Sequence, residues 1–388
     1  MDNAATTKIA PEVLEAMMPY LTECYGNAGT LYKFGRKANE AVQAARENVL
    51  RFVGGGKGDI IFTSGGSEAN NLVFRGVKNR LKETGRTHIL ISAVEHDSVL
   101  RAAESLIWEG FYVERIPVSP DGSVSLTELE KRVREDTGLV SVMYVNNETG
   151  AVNPVNEIGS FCIKHDILFH TDCVQAAGCH DIDAVEIGCD FLTISAHKIH
   201  GPKGVGALYT TNSLPVLEPL IYGGASQERG LRGGTENVAG IVGFGKACEL
   251  VSAHLQEDRT LVSTMKQKFV IGLRAYLKEH GAPDIIHING GSLMSPGKTV
   301  NIRIDGIDNE SLILMLDNKD ICVSAGSACQ SHDTTPSHVL TAMGLAKEEA
   351  RSSVRVSFSR MNTLEEVEEA AWTMGEFICL LRAHRTEE

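Results

Sequence analysis

The chain is 388 residues long, 43% hydrophobic and 22% charged, with a formal net charge of -13. That length exceeds one ordinary hydrophobic core, so two domains are expected, and the composition is that of a soluble globular protein. The acidic balance argues against nucleic acid or an anionic membrane as the main partner.

No uninterrupted apolar run reaches the ~18 residues that span a bilayer. The N-terminus, Met1-Asp-Asn-Ala-Ala-Thr-Thr7, lacks the basic and apolar regions of a signal peptide. A cytoplasmic location is the expectation. The nine cysteines form neither a CxxC pair nor an even framework, which excludes a disulfide scaffold and a zinc spacing. Most are expected to be reduced and buried, Cys322 among them because it lies between Ile321 and Val323. The histidines show no ligand spacing, and no metal is expected.

In chain order, Pro11 to Leu21 reads as a helix with proline near its first turn, and Asn39 to Val53 repeats the helical pattern. Strand-like runs follow at Ile60–Phe62, Ile89–Ile91, Leu139–Val145, Ile167–His170, Phe191–Ile194 and Val205–Tyr209, most of them separated by helical stretches. Alternation of this kind predicts a mostly parallel sheet flanked by helices. In such sheets the ligand site lies beyond the carboxyl ends of the strands.

Those ends carry chemistry. Thr63-Ser-Gly-Gly-Ser-Glu-Ala-Asn70 opens a helix and could bind a phosphate on free amides; alone, it is equally a plain turn capped by Ser67. No Gly-Lys-Ser/Thr follows, so it is not a Walker loop. The later ends deliver His96, Asn147, Asp172 with Gln175, and Ser195-Ala-His-Lys198. Each residue has an ordinary reading: a surface lysine, a capping aspartate, a core histidine, a loop asparagine. Together they suit pyridoxal 5′-phosphate, which needs an amine for a Schiff base, a carboxylate for its ring nitrogen and donors for its phosphate.

The ordered motifs Asp2-Asn-Ala-Ala-Thr-Thr7, Thr63–Asn71, Glu95-His96, Asn146-Asn-Glu148, His197-Lys198 with Gly201-Pro-Lys-Gly204, Gly234-Thr-Glu-Asn-Val238, Ser324-Ala-Gly-Ser-Ala-Cys329, Pro336–Leu340 and Ser352-Ser-Val-Arg-Val-Ser357 resemble cysteine desulfurases of the NifS/IscS group. These belong to the class-V aminotransferases among the fold-type I pyridoxal-phosphate enzymes. The resemblance implies an α/β fold. A large domain over 13–255 holds the cofactor, and a smaller α+β domain from 1–12 and 256–388, with a helical stretch from Leu255 to Lys278, carries a cysteine loop at about 324–336.

It also implies roles. Lys198 bears the Schiff base, Asp172 faces the ring nitrogen, and His96 stacks on the ring and moves protons with Lys198. Asn147 and Gln175 lie near the ring hydroxyl, and Asn147 also near substrate. Gly66, Ser67, Ser195 and His197 hold the phosphate. Thr235 reaches the partner's phosphate in a homodimer. Arg355 clamps the carboxylate of L-cysteine. Cys329 takes the sulfur as a persulfide, alanine leaves, and the sulfur passes to an acceptor protein such as an iron-sulfur scaffold. The chain departs from the family at Tyr32, where histidine is usual; tyrosine donates a hydrogen bond but does not titrate near neutral pH. Other readings are a selenocysteine lyase or aminotransferase of the same fold, and an inactive protein-binding paralogue.

Overall fold

The computed structural model describes residues 1–211, 217–291, 293, 296–326 and 336–385. Ten strands are described: β1 (Asp59–Thr63), β2 (His88–Ser92), β3 (Tyr112–Ile116), β4 (Thr137–Ser141), β5 (Leu168–Asp172), β6 (Phe191–Ser195), β7 (Gly206–Thr210), β8 (Ile286–Asn289), β9 (Thr299–Ile304) and β10 (Ser353–Ser357). The first seven form one sheet in the order β1-β7-β6-β5-β4-β2-β3. Only β7 runs against the others, pairing antiparallel with both β1 and β6. The remaining three form an antiparallel sheet, β10-β9-β8.

The expected mixed, mostly parallel sheet is therefore present, because the apolar runs are strands buried on both faces, as β2, β4 and β6 show along their whole length. Two details differ. β3 was not anticipated: it is an edge strand whose residues are mostly half exposed, so its sequence carries little apolar periodicity. The run ending at Val145 leaves regular pairing after Ser141, although Val142 and Tyr144 still donate to the carbonyls of His170 and Asp172. That irregular extension carries β4 to the edge where Asn147 sits.

The helix expected from Leu255 begins at Val238 and runs unbroken to Glu279, 42 residues. Its first half packs Phe244, Cys248 and Val251 into the core of the seven-stranded sheet. Its second half packs Val262, Phe269 and Leu273 into the core of the three-stranded sheet. By length and composition this helix could cross a membrane, but its apolar residues are used by these two cores. The helix expected from Asn39 begins six residues earlier, at Lys33.

Cys322 corrects an expectation. It is exposed, whereas Cys24, Cys162, Cys173, Cys179, Cys189 and Cys248 are buried. An apolar flank in sequence does not bury a residue that lies outside any strand.

The N-terminal segment links the two sheets. Met1 accepts from the Ser357 amide beside β10, while Thr7 and Ala10 donate backbone bonds to the carbonyls of His197 and His200 beyond β6.

Candidate active site

The carboxyl ends of the parallel strands meet the N-terminal segment and β10 around a cavity of ≈190 Å³. β1 turns into helix Gly66–Glu83, whose first residues, Gly66 and Ser67, line this space. The turn is tight because β7 lies under it: a Cβ on Gly206 would stand 2.7 Å from the Gly65 backbone. This accounts for glycine after the Lys198 turn.

β2 ends in Glu95-His96. His96 caps helix Asp97–Ser105, its Nδ1 accepting from the Ser98 amide at 3.1 Å. A backbone donor at Nδ1 places the neutral ring's proton on Nε2. Glu95 is fully buried, and burial pushes its carboxyl up to about 8. Its Oε1 accepts from Ser92 Oγ and from the Met143 amide, tying the end of β2 to the extension of β4.

Asp172 closes β5. Its Oδ2 accepts from Asn70 Nδ2 at 2.8 Å and its Oδ1 from the Val174 amide at 2.9 Å. Two donors hold the carboxylate in one orientation. Beyond β6, Ser195, His197 and Lys198 line the cavity. Burial, helped by the charge of Lys198, lowers His197 to about 4, so it is neutral and can serve as a donor from one ring nitrogen. Lys198 Nζ donates to the carbonyls of Ala4 at 2.5 Å and Ala5 at 2.9 Å.

Arg355 on β10 is almost wholly buried. Its Nη2 pairs with Asp2 Oδ1 at 2.7 Å and its Nη1 donates to the Asn147 carbonyl at 3.1 Å.

Ser195 Oγ, Asn70 Oδ1, Asn147 Oδ1, Gln175 Oε1 and Arg355 Nε are buried without a hydrogen-bond partner among the described residues, and all five residues line this one cavity. Native proteins rarely leave such atoms unpaired. Ser195 Oγ and Arg355 Nε can donate to an anion, whereas the amide oxygens accept and match a hydroxyl; the amine of Lys198 and the carboxylate of Asp172 match an aldehyde and a ring nitrogen. The residues present fit pyridoxal phosphate.

Of the residues expected at the site, Gly66, Ser67, His96, Asn147, Asp172, Gln175, Ser195, His197, Lys198 and Arg355 line the cavity. Thr235 does not and is exposed. Tyr32 is exposed at the start of helix Lys33–Phe52 and is likewise absent from the lining. Cys329 lies outside the described residues. The chain on either side of it is tied to the site: Ser324 exchanges backbone bonds with Arg355, and Ser337 Oγ donates to Glu148 Oε2 at 2.6 Å.

Ala4, Ala5, Asn70, Ser98, Met143 and Val174 complete the lining. For Asn70 a signal existed: it falls one helical turn after Gly66, on the same face. For Ala4 and Ala5 the Asp2–Thr7 motif marked the segment but not the contact, because their contribution is backbone carbonyls.

The model of the aminotransferase class-V family matches residues 1–369. The chain is 44% identical over 370 residues to a protein named cysteine desulfurase IscS from Clostridium botulinum, covering 95% of this chain and 91% of that one. It is 41% identical to a protein of the same name from Methanosarcina thermophila, covering 98% and 92%. Among solved structures, a NifS-like protein superposes with a TM-score of 0.88 at 35% identity, covering 98% of this chain and 99% of that chain. The chain belongs to the aminotransferase class-V family.

Proposed function

We propose that the chain is a pyridoxal-phosphate-dependent cysteine desulfurase, which takes sulfur from L-cysteine, releases L-alanine and leaves a persulfide on Cys329. One observation carries the reading: five polar atoms without a partner among the described residues, one lysine and one doubly held aspartate converge on a single cavity. The relatives named cysteine desulfurase support the substrate.

Lys198 would hold the cofactor covalently, Asp172 would face its ring nitrogen, and Gly66, Ser67, Ser195 and His197 would surround its phosphate. When bound, the cofactor supplies an electron sink that weakens bonds at the substrate's α and β carbons. The chain does the rest. Arg355, held by Asp2 and Asn147, presents its remaining donors to the substrate carboxylate. Lys198 Nζ and His96 Nε2 would accept and return protons. Cys329 attacks the substrate sulfur as thiolate.

We also read the chain as a cytoplasmic homodimer with Thr235 at the partner's phosphate. The exposed apolar side chains Leu31, Tyr32 and Tyr222 support a partner surface. A division at about residue 255 into 13–255 and 1–12 with 256–388 is supported by the long helix, whose buried residues change cores near that point. The sulfur acceptor would be another protein, such as an iron-sulfur scaffold.

Cys329→Ser should abolish sulfide release from L-cysteine while leaving the cofactor's absorbance unchanged. Sulfide release at the native rate in that variant would refute Cys329 as the acceptor. Arg355→Lys should raise KM for L-cysteine about tenfold to a hundredfold with little change in kcat, because lysine cannot reproduce a planar two-point contact. An unchanged KM would remove Arg355 from the substrate site.

A further inference from the structure

A second cavity, ≈30 Å³, adjoins the turn that carries Lys198 and is lined by, among others, Lys298, Cys179, His200, Asp258 and Arg360. Lys298 immediately precedes β9 and is 6% exposed. Its Nζ donates to the main-chain carbonyl of Lys198 at 3.3 Å. Its own carbonyl accepts from the Phe358 amide at 2.8 Å, so its backbone is fixed to the segment that follows β10.

Among the described residues no carboxylate pairs with Lys298; Asp258, in the same cavity, is taken by Arg360 at 3.2 Å. A buried amine without a counter-ion is costly, and an apolar side chain would fill this place at less cost. What the amine supplies is a bond to the Lys198 turn and a positive charge close to it. The charge already acts on the neighbouring ring groups: after burial, Lys298 is among the causes that lower His197 and His200. Burial lowers Lys298 itself, with Arg355 acting in the same direction and Cys179 against it. The groups facing Lys198 in the main cavity are His96, Asp172, His197 and Arg355.

We propose that Lys298 is a positioning residue for Lys198: from the three-stranded sheet it holds the Lys198 carbonyl, and its charge opposes a second positive charge on the Lys198 nitrogen. A like charge nearby disfavours protonation. Lys298 thereby helps to keep the Lys198 nitrogen able to shed and accept protons near neutral pH. This rests on the reading of Lys198 as the cofactor-bearing residue.

The test is the pH titration of the visible absorbance of the cofactor-loaded enzyme. Lys298→Met should move the midpoint upward by at least about half a unit, roughly threefold in proton affinity. Lys298→Arg, which keeps donor and charge, should stay near the wild type. Should the methionine variant not fold, Lys298→Gln keeps a donor without the charge and carries the same upward expectation. Neutral variants that titrate with the wild type's midpoint overturn the proposal. A wild-type enzyme whose visible band borohydride does not bleach overturns the assignment of Lys198 as well, so the two failures are distinguishable.

Discussion

Lys198→Ala is expected to yield a folded protein that borohydride no longer links to the cofactor, and whose turnover of L-cysteine falls by about 10³-fold or more. The reason is local. Lys198 is the one amine among the described residues lining the cavity, and the delocalised guanidinium of Arg355 is no substitute for it as a nucleophile. Its Nζ is held by the carbonyls of Ala4 and Ala5, so loss of the side chain removes two of the bonds that tie the N-terminal segment to the cavity, while those from Gln175 and Arg355 remain. Turnover above a tenth of the native rate would show that another group does the work assigned to Lys198. Comparing covalent attachment with turnover separates anchoring from proton transfer, because cofactor can still bind through its phosphate contacts.

The largest effect on stability is expected at Glu228. This carboxylate is buried and grips Arg46 through two bonds, Oε2 to Nη1 at 2.8 Å and Oε1 to Nη2 at 2.6 Å. It also accepts from the Phe62 amide of β1 at 2.7 Å. Arg46 lies over the Phe62 ring at 4.8 Å and donates to the Ile60 carbonyl. Glu228 is held at φ 39°, a left-handed conformation that costs a non-glycine residue free energy. Glu228→Ala leaves Arg46 buried without a counter-charge and the Phe62 amide without its partner, and should destabilise the fold by roughly 3–5 kcal/mol. Adding Arg46→Met should recover part of that loss, because the uncompensated charge is gone. Denaturant unfolding of the two variants decides this; a loss under about 1 kcal/mol for Glu228→Ala would mean that water reaches the pair. The effect should extend to function, since Gln227, next in the chain, accepts from the amides of Gly224 and Gly234 and so shapes the turn before Thr235.

Much of the site was legible because its residues sit where local pattern ends. Buried strands announce themselves as apolar runs, and in a parallel sheet their carboxyl ends share one edge. Gly66, His96, Asp172 and Lys198 could be placed on that edge from strand endings alone. Irregular backbone was less readable. β3 was missed because an edge strand needs no apolar face, and the extension of β4 to Asn147 is held by two bonds to β5 rather than by strand periodicity. The long helix was truncated in the sequence reading because its first half, Val238 to Val251, is too apolar to show a face. That half is apolar because it is core.

What the sequence determined by itself is the inventory and its order: which strands end in which reactive side chains, and a cysteine placed among small residues after β9. Only the tertiary structure decided contacts across a hundred residues or more. It brings the Ala4 and Ala5 carbonyls to Lys198, Asp2 to Arg355, and Lys298 to the back of the Lys198 turn. The physical reason is the same in each case. Periodicity reports whether a residue faces a core, whereas a hydrogen bond between distant segments depends on how the two sheets and the N-terminal segment are packed, and no local pattern encodes that packing.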